Sequence, residues 1–411
     1  MSFISQFGSI TREQWKTLVA AQLGWMLDAM DIMLYAFALT TIQREFGLSS
    51  AEAGALASAT LIASSAGGVL FGILADRIGR ARSLMLSILV YSIFTALTAT
   101  AGSLAELVLW RCLVGLGMGG EWSAGSVLVS ETWPAEHRGK AIGLMQSGWA
   151  VGYIFAALLA AVILPDLGWR VLFLVGIAPA FLTLWIRKHV QEPAIWIDRA
   201  RRPRVSKDNA IGEILRPPLL QKTLLGTLVT MSVLFAYWGL FTWMPSFLAR
   251  PFDQGGAGLG IVKSSTWIIP MQIGAFFGYV LFGFLADRFG RRPVFLFFLL
   301  CAALLVPIYG QLARHEVVLL LLGPCIGFFG HGYFSVFGAM LSELFPTHIR
   351  ATAQGLVYNG GRAFSALAPY TVGALADQYG VGSALAVTAA FFLAGAGLMF
   401  LLPETRGQHL Q

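Results

Sequence analysis

Charge is scarce in this chain, and cysteine scarcer still. Only 12% of its 411 residues are charged, against about a quarter in soluble domains, which argues against a soluble globular fold. The three cysteines (Cys112, Cys301, Cys325) all fall in apolar runs and no CxxC occurs, so neither a disulfide framework nor a zinc site is indicated. No metal-ligand cluster, nucleophile elbow or phosphate loop stands in a fitting context, so the sequence calls for no enzyme activity, metal or cofactor. The N-terminus "MSFISQFGSITREQWK" has no basic region leading into a short apolar stretch and a small-residue cleavage site, so no cleaved signal peptide is expected.

What fills the chain instead is apolar: 57% of residues are hydrophobic and the mean hydropathy is +0.72. The charges cluster in short stretches. Between them lie twelve apolar runs, roughly 16–40, 52–75, 83–101, 105–130, 140–163, 169–187, 222–247, 264–286, 293–312, 317–343, 351–375 and 381–402. Each has about the 18–25 residues that cross about 30 Å of hydrocarbon. The expected fold is an all-α polytopic membrane protein with twelve transmembrane helices.

The formal charge of +7 could suggest nucleic acid, but the basic residues are sorted by topology. With a cytoplasmic N-terminus, 21 of the 28 Lys and Arg fall in cytoplasmic loops and ends. Five fall on the other side (Arg44, Arg170, Arg250, Lys263, Arg314), and Arg111 and Arg362 lie within spans. That asymmetry places both termini in the cytoplasm, with the lipid bilayer rather than nucleic acid as the charged partner.

The chain also repeats itself. "GILADRIGRARSL" (72–84) returns as "GFLADRFGRRPVF" (283–295), and "SETWPAEHRGKAIGL" (130–144) as "SELFPTHIRATAQGL" (342–356). Two motifs at one common offset indicate two homologous six-span halves: residues 1–188 and 222–411, joined by a basic cytoplasmic linker at 189–221 that contains "RARRPRVSKD".

The paired D-R-x-G-R loops after spans two and eight, in a chain of six plus six spans, resemble the major facilitator superfamily over nearly the whole length. Within it, "LDAMD" in span one, "RCLVGLGMGGEW" in span four and "YNGGRAFSALAP" in span eleven are similar to the sialate:proton symporters and to related branches carrying aromatic acids, dicarboxylates and other organic acids. Span five lacks the Gly-Pro element of the drug:proton antiporters, which counts against export. The resemblance implies import of a small organic anion with protons, sialic acid or a monocarboxylate such as lactate or pyruvate, by alternating access across a bacterial inner membrane. Aromatic acids, dicarboxylates or a neutral solute such as a sugar are the alternatives. A monomer is the expected working unit. A sensor built on the same scaffold would need a sizeable cytoplasmic domain, and neither the linker nor the tail "ETRGQHLQ" supplies one.

The loops suggest a cytoplasmic gate made of Asp76, Arg77, Gly79, Arg80, Glu131 and Arg138, repeated as Asp287, Arg288, Gly290, Arg291, Glu343 and Arg350. Gly79 and Gly290 make short turns. Asp76 and Asp287 can accept hydrogen bonds from helix N-termini or pair with neighbouring arginines, while Glu131 with Arg138, and Glu343 with Arg350, can close similar networks. These are expected to hold an outward-facing state and to break in the other.

"GLGMGG" (115–120) satisfies the dinucleotide fingerprint G-x-G-x-x-G, which has meaning only between a strand and a helix. Inside a long apolar helix it reads as a small-residue packing face.

Ionisable residues inside spans usually face a polar cavity and pair with one another. Here they are Asp28, Asp31, Arg111, Glu121, Arg362 and His331. Asp28 and Asp31 lie about 300° apart around one helix and so share a face. Neighbouring carboxylates in low dielectric resist being ionised together, which suits a proton carrier. Three acids against Arg111 alone leave a surplus in the N-terminal half, so Asp28, Asp31 and Glu121 are the proton-coupling candidates. A buried brace of Asp28 and Asp31 with Arg111, their charge partner, is the structural alternative. Arg362 has no acid in its own half and is the candidate ligand of the substrate carboxylate, or else an inter-half partner of Asp28 or Asp31. Asn359, Tyr358, Tyr333, His331, Tyr237, Gln272 and Gln146 are the candidate hydrogen-bonding ligands around it.

Overall fold

The computed structural model describes residues 10–404 apart from 195, 198–209, 218, 336–339, 341–343 and 346–349. The described elements are helical: α1 Arg12–Phe46, α2 Ser50–Ile78, α3 Arg80–Thr98, α4 Leu104–Thr132, α5 Ala135–Val175, α6 Pro179–His189, α7 Ala210–Ile214, α8 Leu219–Ala249, α9 Gly260–Phe289, α10 Arg291–Gln311, α11 Glu316–His331, α12 Arg350–Ser365, α13 Ala368–Tyr379, α14 Val381–Leu385 and α15 Val387–Met399, with a 3-10 turn at Phe252–Gln254.

Nine of these stretches are long and apolar enough to cross a membrane, and Glu316–His331 is a shorter apolar helix. The twelve expected spans map onto them with two departures. Spans five and six follow each other without an intervening loop in the stretch Ala141–His189, because the only break between the two helices there is the kink at Gly168, at φ 74° and ψ 178°, with Pro165 tolerated just before it. Span eleven is divided between α12 and α13, with Pro369 in the first turn of α13, where its missing N–H is harmless.

Sequence punctuation sets the ends. Thr11 and Ser49 each form a capping box, with Gln14 and Glu52, and α1 stops at Gly47 in the left-handed conformation. Gly79 and Gly290 sit at φ 113° and 103° in the α2–α3 and α9–α10 turns, a backbone that the repeated loop motif can adopt because both positions are glycine.

Packing uses small residues, as membrane helices do. A Cβ on Gly115 or Gly119 would collide with the carbonyls of Thr60 or Ser64 on α2, and one on Gly117 would lie 2.5 Å from the Tyr91 nitrogen on α3. The "GLGMGG" stretch therefore sits against two helices at once. In the other half a Cβ on Gly274 or Gly327 would strike Pro324 or Met271, locking α9 to α11. The halves meet along α5–α9 and α2–α13, with α1 and α8 also touching. The face at which α1 begins and α6 ends is the linker face, and the other is the opposite face.

Candidate functional site

Asp28, Asp31 and Glu121 are fully buried, and none of their carboxylate oxygens has a hydrogen-bond partner. Asp28 and Asp31 share one face of α1 but have different electrostatic neighbours. Asp28 faces Arg362 across the interface between halves, and Asp31 faces Thr95 and Arg111 within its own half. Glu121 crosses from α4 onto α1, where Gly24 leaves room for it: a Cβ at that position would collide with its carboxylate. Gly24 lies one helical turn before Asp28, so the three acids form one set.

No described ion pair within 4 Å includes Arg111, and its Nε and Nη1 have no hydrogen-bond partner. It lies over the Tyr35 ring at 4.9 Å and near the Phe173 ring at 6.0 Å. Aromatic faces and the nearby Asp31 thus accommodate its charge, while Asp28 is left to face the other half. A small cavity joins this group to the C-terminal half, lined by Tyr35 and Arg111 on one side and Trp238 and Thr242 on the other.

Arg362 is buried on α12, one turn beyond Tyr358. Tyr358 stacks on Trp122, the residue after Glu121, with ring centroids 4.4 Å apart and planes 16° apart. Asn359 lies against α2 of the other half, its Oδ1 2.8 Å from where a Cβ of Gly68 would stand. The Trp149 indole N–H donates to the Tyr237 hydroxyl across the halves. That hydroxyl lies 3.3 Å from His331 Nε2, and His331 Nδ1 lies 3.1 Å from the Gly327 carbonyl. These partners assign the proton to Nδ1 and leave Nε2 to accept from Tyr237. His331 is a packed, hydrogen-bonded residue in this geometry. Gln146 Oε1, both amide atoms of Gln272 and the indole nitrogens of Trp25 and Trp238 are buried without partners, which leaves them available to a bound solute.

Tyr333 is fully buried. It lies just past α11 and turns into the C-terminal core, where its hydroxyl meets the Val233 carbonyl at 3.4 Å and its ring packs on Phe295 and Phe392.

The linker-face loops are held by carboxylates that accept from arginines and from helix N-termini. Glu131 pairs with Arg80, bidentately at 3.1 Å through Nε and Nη2, two members of the gate that the sequence suggested. The N-terminus of α3 is capped by Glu192, which the sequence reading did not single out and which accepts from the backbone N–H groups of Arg80, Ala81 and Arg82 at 2.6, 3.2 and 3.1 Å. Glu404 repeats this for α10, accepting from Arg291 and Arg292 at 2.9 and 3.0 Å. Glu192 and Glu404 stand at the same repeat offset as Glu131 and Glu343, the one sequence signal that could have found them. Arg77 and Arg288 are exposed. The side chains of Asp76, Arg138, Asp287 and Arg350, and all of Glu343, lie outside the described residues.

At the opposite face the halves are tied together. Asp377 accepts from the backbone of Ser50 and Ala51 at 2.9 Å each, Arg250 donates to Gln43 and Ser50, and the Tyr370 N–H donates to Ser58. The described linker-face pairs coexist with a joined opposite face. The reason is geometric: Arg80, Glu131 and Glu192 all belong to one half, so rocking of the halves does not separate them.

The profile of the Major Facilitator Superfamily matches residues 23–279 and 264–411. A "probable 4-methylmuconolactone transporter" of Cupriavidus pinatubonensis is 36% identical over 96% of this chain and 92% of its own length. A cis,cis-muconate transport protein of Acinetobacter baylyi is 34% identical over 95% and 94%. The sialic acid transporter of Escherichia coli is 30% identical over 94% and 93%. Among solved structures, a D-xylose–proton symporter shares the fold, with a TM-score of 0.78 at 21% identity over 97% of this chain and all of that one. The chain belongs to the major facilitator superfamily: it is a multi-pass membrane transporter of small organic metabolites and not an enzyme.

Proposed function

We propose that this protein is a proton-coupled symporter importing a small organic anion by alternating access, with the linker face and both termini in the cytoplasm of a bacterial cell and the monomer as working unit. One observation carries the reading. Three buried carboxylates of the N-terminal half stand without hydrogen-bond partners, and one of them, Asp28, faces the buried Arg362 of the C-terminal half. Uncompensated buried charge is costly, and both sides of this arrangement are relieved when a proton and a carboxylate arrive together.

The coupling follows from one arginine serving two anions. With the site empty, Arg362 balances Asp28. A substrate carboxylate takes the guanidinium fork bidentately, and Asp28, deprived of its counter-charge, takes up a proton. The loaded site is then near neutral and can cross between states. Deprotonation on the less acidic side restores Asp28 as competitor and releases the anion.

Aromatic residues around the site (Trp25, Trp149, Tyr237, Trp238) and the relatives named for 4-methylmuconolactone and muconate favour a small unsaturated or aromatic acid over a bulky polyhydroxylated one such as sialic acid. Uptake into proteoliposomes under an imposed pH gradient tests the function, with muconate, benzoate, nicotinate, lactate and sialic acid as substrates. Accumulation of at least one acid that collapses with the gradient is expected. Accumulation indifferent to the gradient would sink proton coupling.

A further inference from the structure

A row of polar groups inside the N-terminal half is not used by the substrate site. On α3, Tyr91, Ser92 and Thr95 are wholly buried, and on α2 Ser64 nearly so. Their four hydroxyls have no hydrogen-bond partner in the protein. Tyr91 and Thr95 lie one turn apart on a single face of α3. That face is pressed onto α4, where Ser87 donates to the Gly117 carbonyl at 2.7 Å and the Tyr91 backbone abuts Gly117.

The Tyr91 hydroxyl lies in the field of Glu121, Asp28 and Asp31 together. Thr95 is beside Asp31. The charged groups facing this row are Asp28 and Asp31 from α1 and Arg111 and Glu121 from α4. From α2 the neighbour is Ser64, and the buried residues of α6 (Pro179, Thr183, Ile186) carry no charge. Buried hydroxyls without protein partners are ordinarily satisfied by ordered water. A tyrosine hydroxyl both donates and accepts.

We propose that Tyr91 is a proton-relay residue, carrying the coupled proton between the α1 aspartates and Glu121 through the interior of the N-terminal half, apart from the substrate's path. In the step, the O–H bond of a protonated Asp31 breaks as its proton passes over a bridging water to the Tyr91 oxygen. The original Tyr91 proton passes on to Glu121 and forms the new O–H bond there. Tyr91 is neutral before and after, and no electrons are gained or lost. The route makes Glu121 the terminal exchanger on the linker side and Asp31 the one nearer the opposite face.

This inference rests on the proton-coupled reading, and its test separates the two. Wild-type protein in proteoliposomes is first assayed for gradient-driven accumulation and for substrate counterflow without a gradient. A wild type indifferent to the gradient defeats the proton-coupled reading itself. Given coupling, Tyr91→Phe keeps the ring and removes the relay. The ratio of accumulation to counterflow should then fall by about a hundredfold, the low end of what a positioned proton-transfer group contributes. Thr95→Val, also near-isosteric, should lower the ratio in the same direction. An unchanged ratio in both variants overturns the relay. So does an equal loss of accumulation and counterflow at wild-type substrate affinity, which would mark Tyr91 as needed for rocking rather than for the proton.

Discussion

The two carboxylate oxygens of Asp377 cap α2 across the interface between halves, one accepting from the Ser50 N–H and the other from the Ala51 N–H, each at 2.9 Å. A carboxylate at a helix N-terminus satisfies orphan donors and complements the helix dipole. This cap exists only while the opposite face is joined, so it biases the conformational equilibrium as well as the local structure.

Asp377→Ala should therefore favour opening at that face. Charge-assisted hydrogen bonds contribute about 1.5–3 kcal/mol, and the solvent-facing position argues for the lower end, a shift of about tenfold. Spin labels at the exposed positions Arg44 and Asp253 would report it as a larger long-distance population. An unaltered distance distribution would mean that Arg250 and its partners hold the face alone.

Glu192 and Glu404 make a different kind of contact, holding helices of one half together. Glu192→Ala strips three backbone N–H groups of their acceptor, at a cost of about 1–2 kcal/mol by analogy with helix caps. A lower Tm in detergent should follow. Glu192→Gln, which keeps an acceptor oxygen, should lose less, and Glu404→Ala should resemble Glu192→Ala. If Gln and Ala variants melt alike, the carboxylate is not acting as a cap.

The sequence carried some of these features and hid others for definite reasons. Twelve spans were legible because each apolar run must cover the hydrocarbon alone, and Gly79 and Gly290 because the loop motif repeats around them. Asp28, Asp31, Glu121 and Arg362 were legible because charge inside an apolar run is costly in itself. The partner of Arg80 was not, since Glu131 and Glu192 lie 51 and 112 residues away and helix packing alone brings them in. Contacts between halves, such as Trp122 on Tyr358 or Asp377 on α2, belong to one arrangement of two rigid bundles, and no periodicity within either bundle encodes it.

The chain from Trp149 through Tyr237 to His331 makes a sharp prediction because one hydroxyl serves two partners. Tyr237→Phe keeps the ring packing but leaves the Trp149 N–H and His331 Nε2 unpaired. Each orphaned buried group costs about 1–3 kcal/mol. A marked drop in Tm is expected, together with faster counterflow, since Trp149 and Tyr237 belong to opposite halves. A Tm within error of wild type would show that the hydrogen bond from Trp149 contributes nothing net.

Arg362→Lys keeps the charge and discards the planar fork. If the substrate carboxylate sits bidentately on the guanidinium, affinity should weaken by tenfold or more, because an ammonium meets the carboxylate as a point charge and about 1.4 kcal/mol corresponds to a factor of ten. Binding measured by substrate-dependent tryptophan fluorescence checks this directly. Equal affinity in the variant would place the anion elsewhere.

The competition between Asp28 and the substrate for Arg362 fixes the sign of the pH dependence. If anion binding drives protonation of Asp28, the complex holds more protons than the empty protein, and by linkage affinity must rise as pH falls. Asp28→Asn is uncharged at every pH and does not compete for Arg362. That variant should bind the anion at least as tightly as wild type, with the pH dependence flattened, and should fail to accumulate it against a gradient. Asp31→Asn leaves the Asp28–Arg362 competition in place, so its binding should stay pH-dependent while accumulation falls. Binding isotherms at pH 5.5 and 8 for wild type and both variants decide the matter. If Asp28→Asn retains the full pH dependence and Glu121→Gln abolishes it, the carboxylate linked to substrate binding is Glu121, and Arg362 answers to the substrate alone.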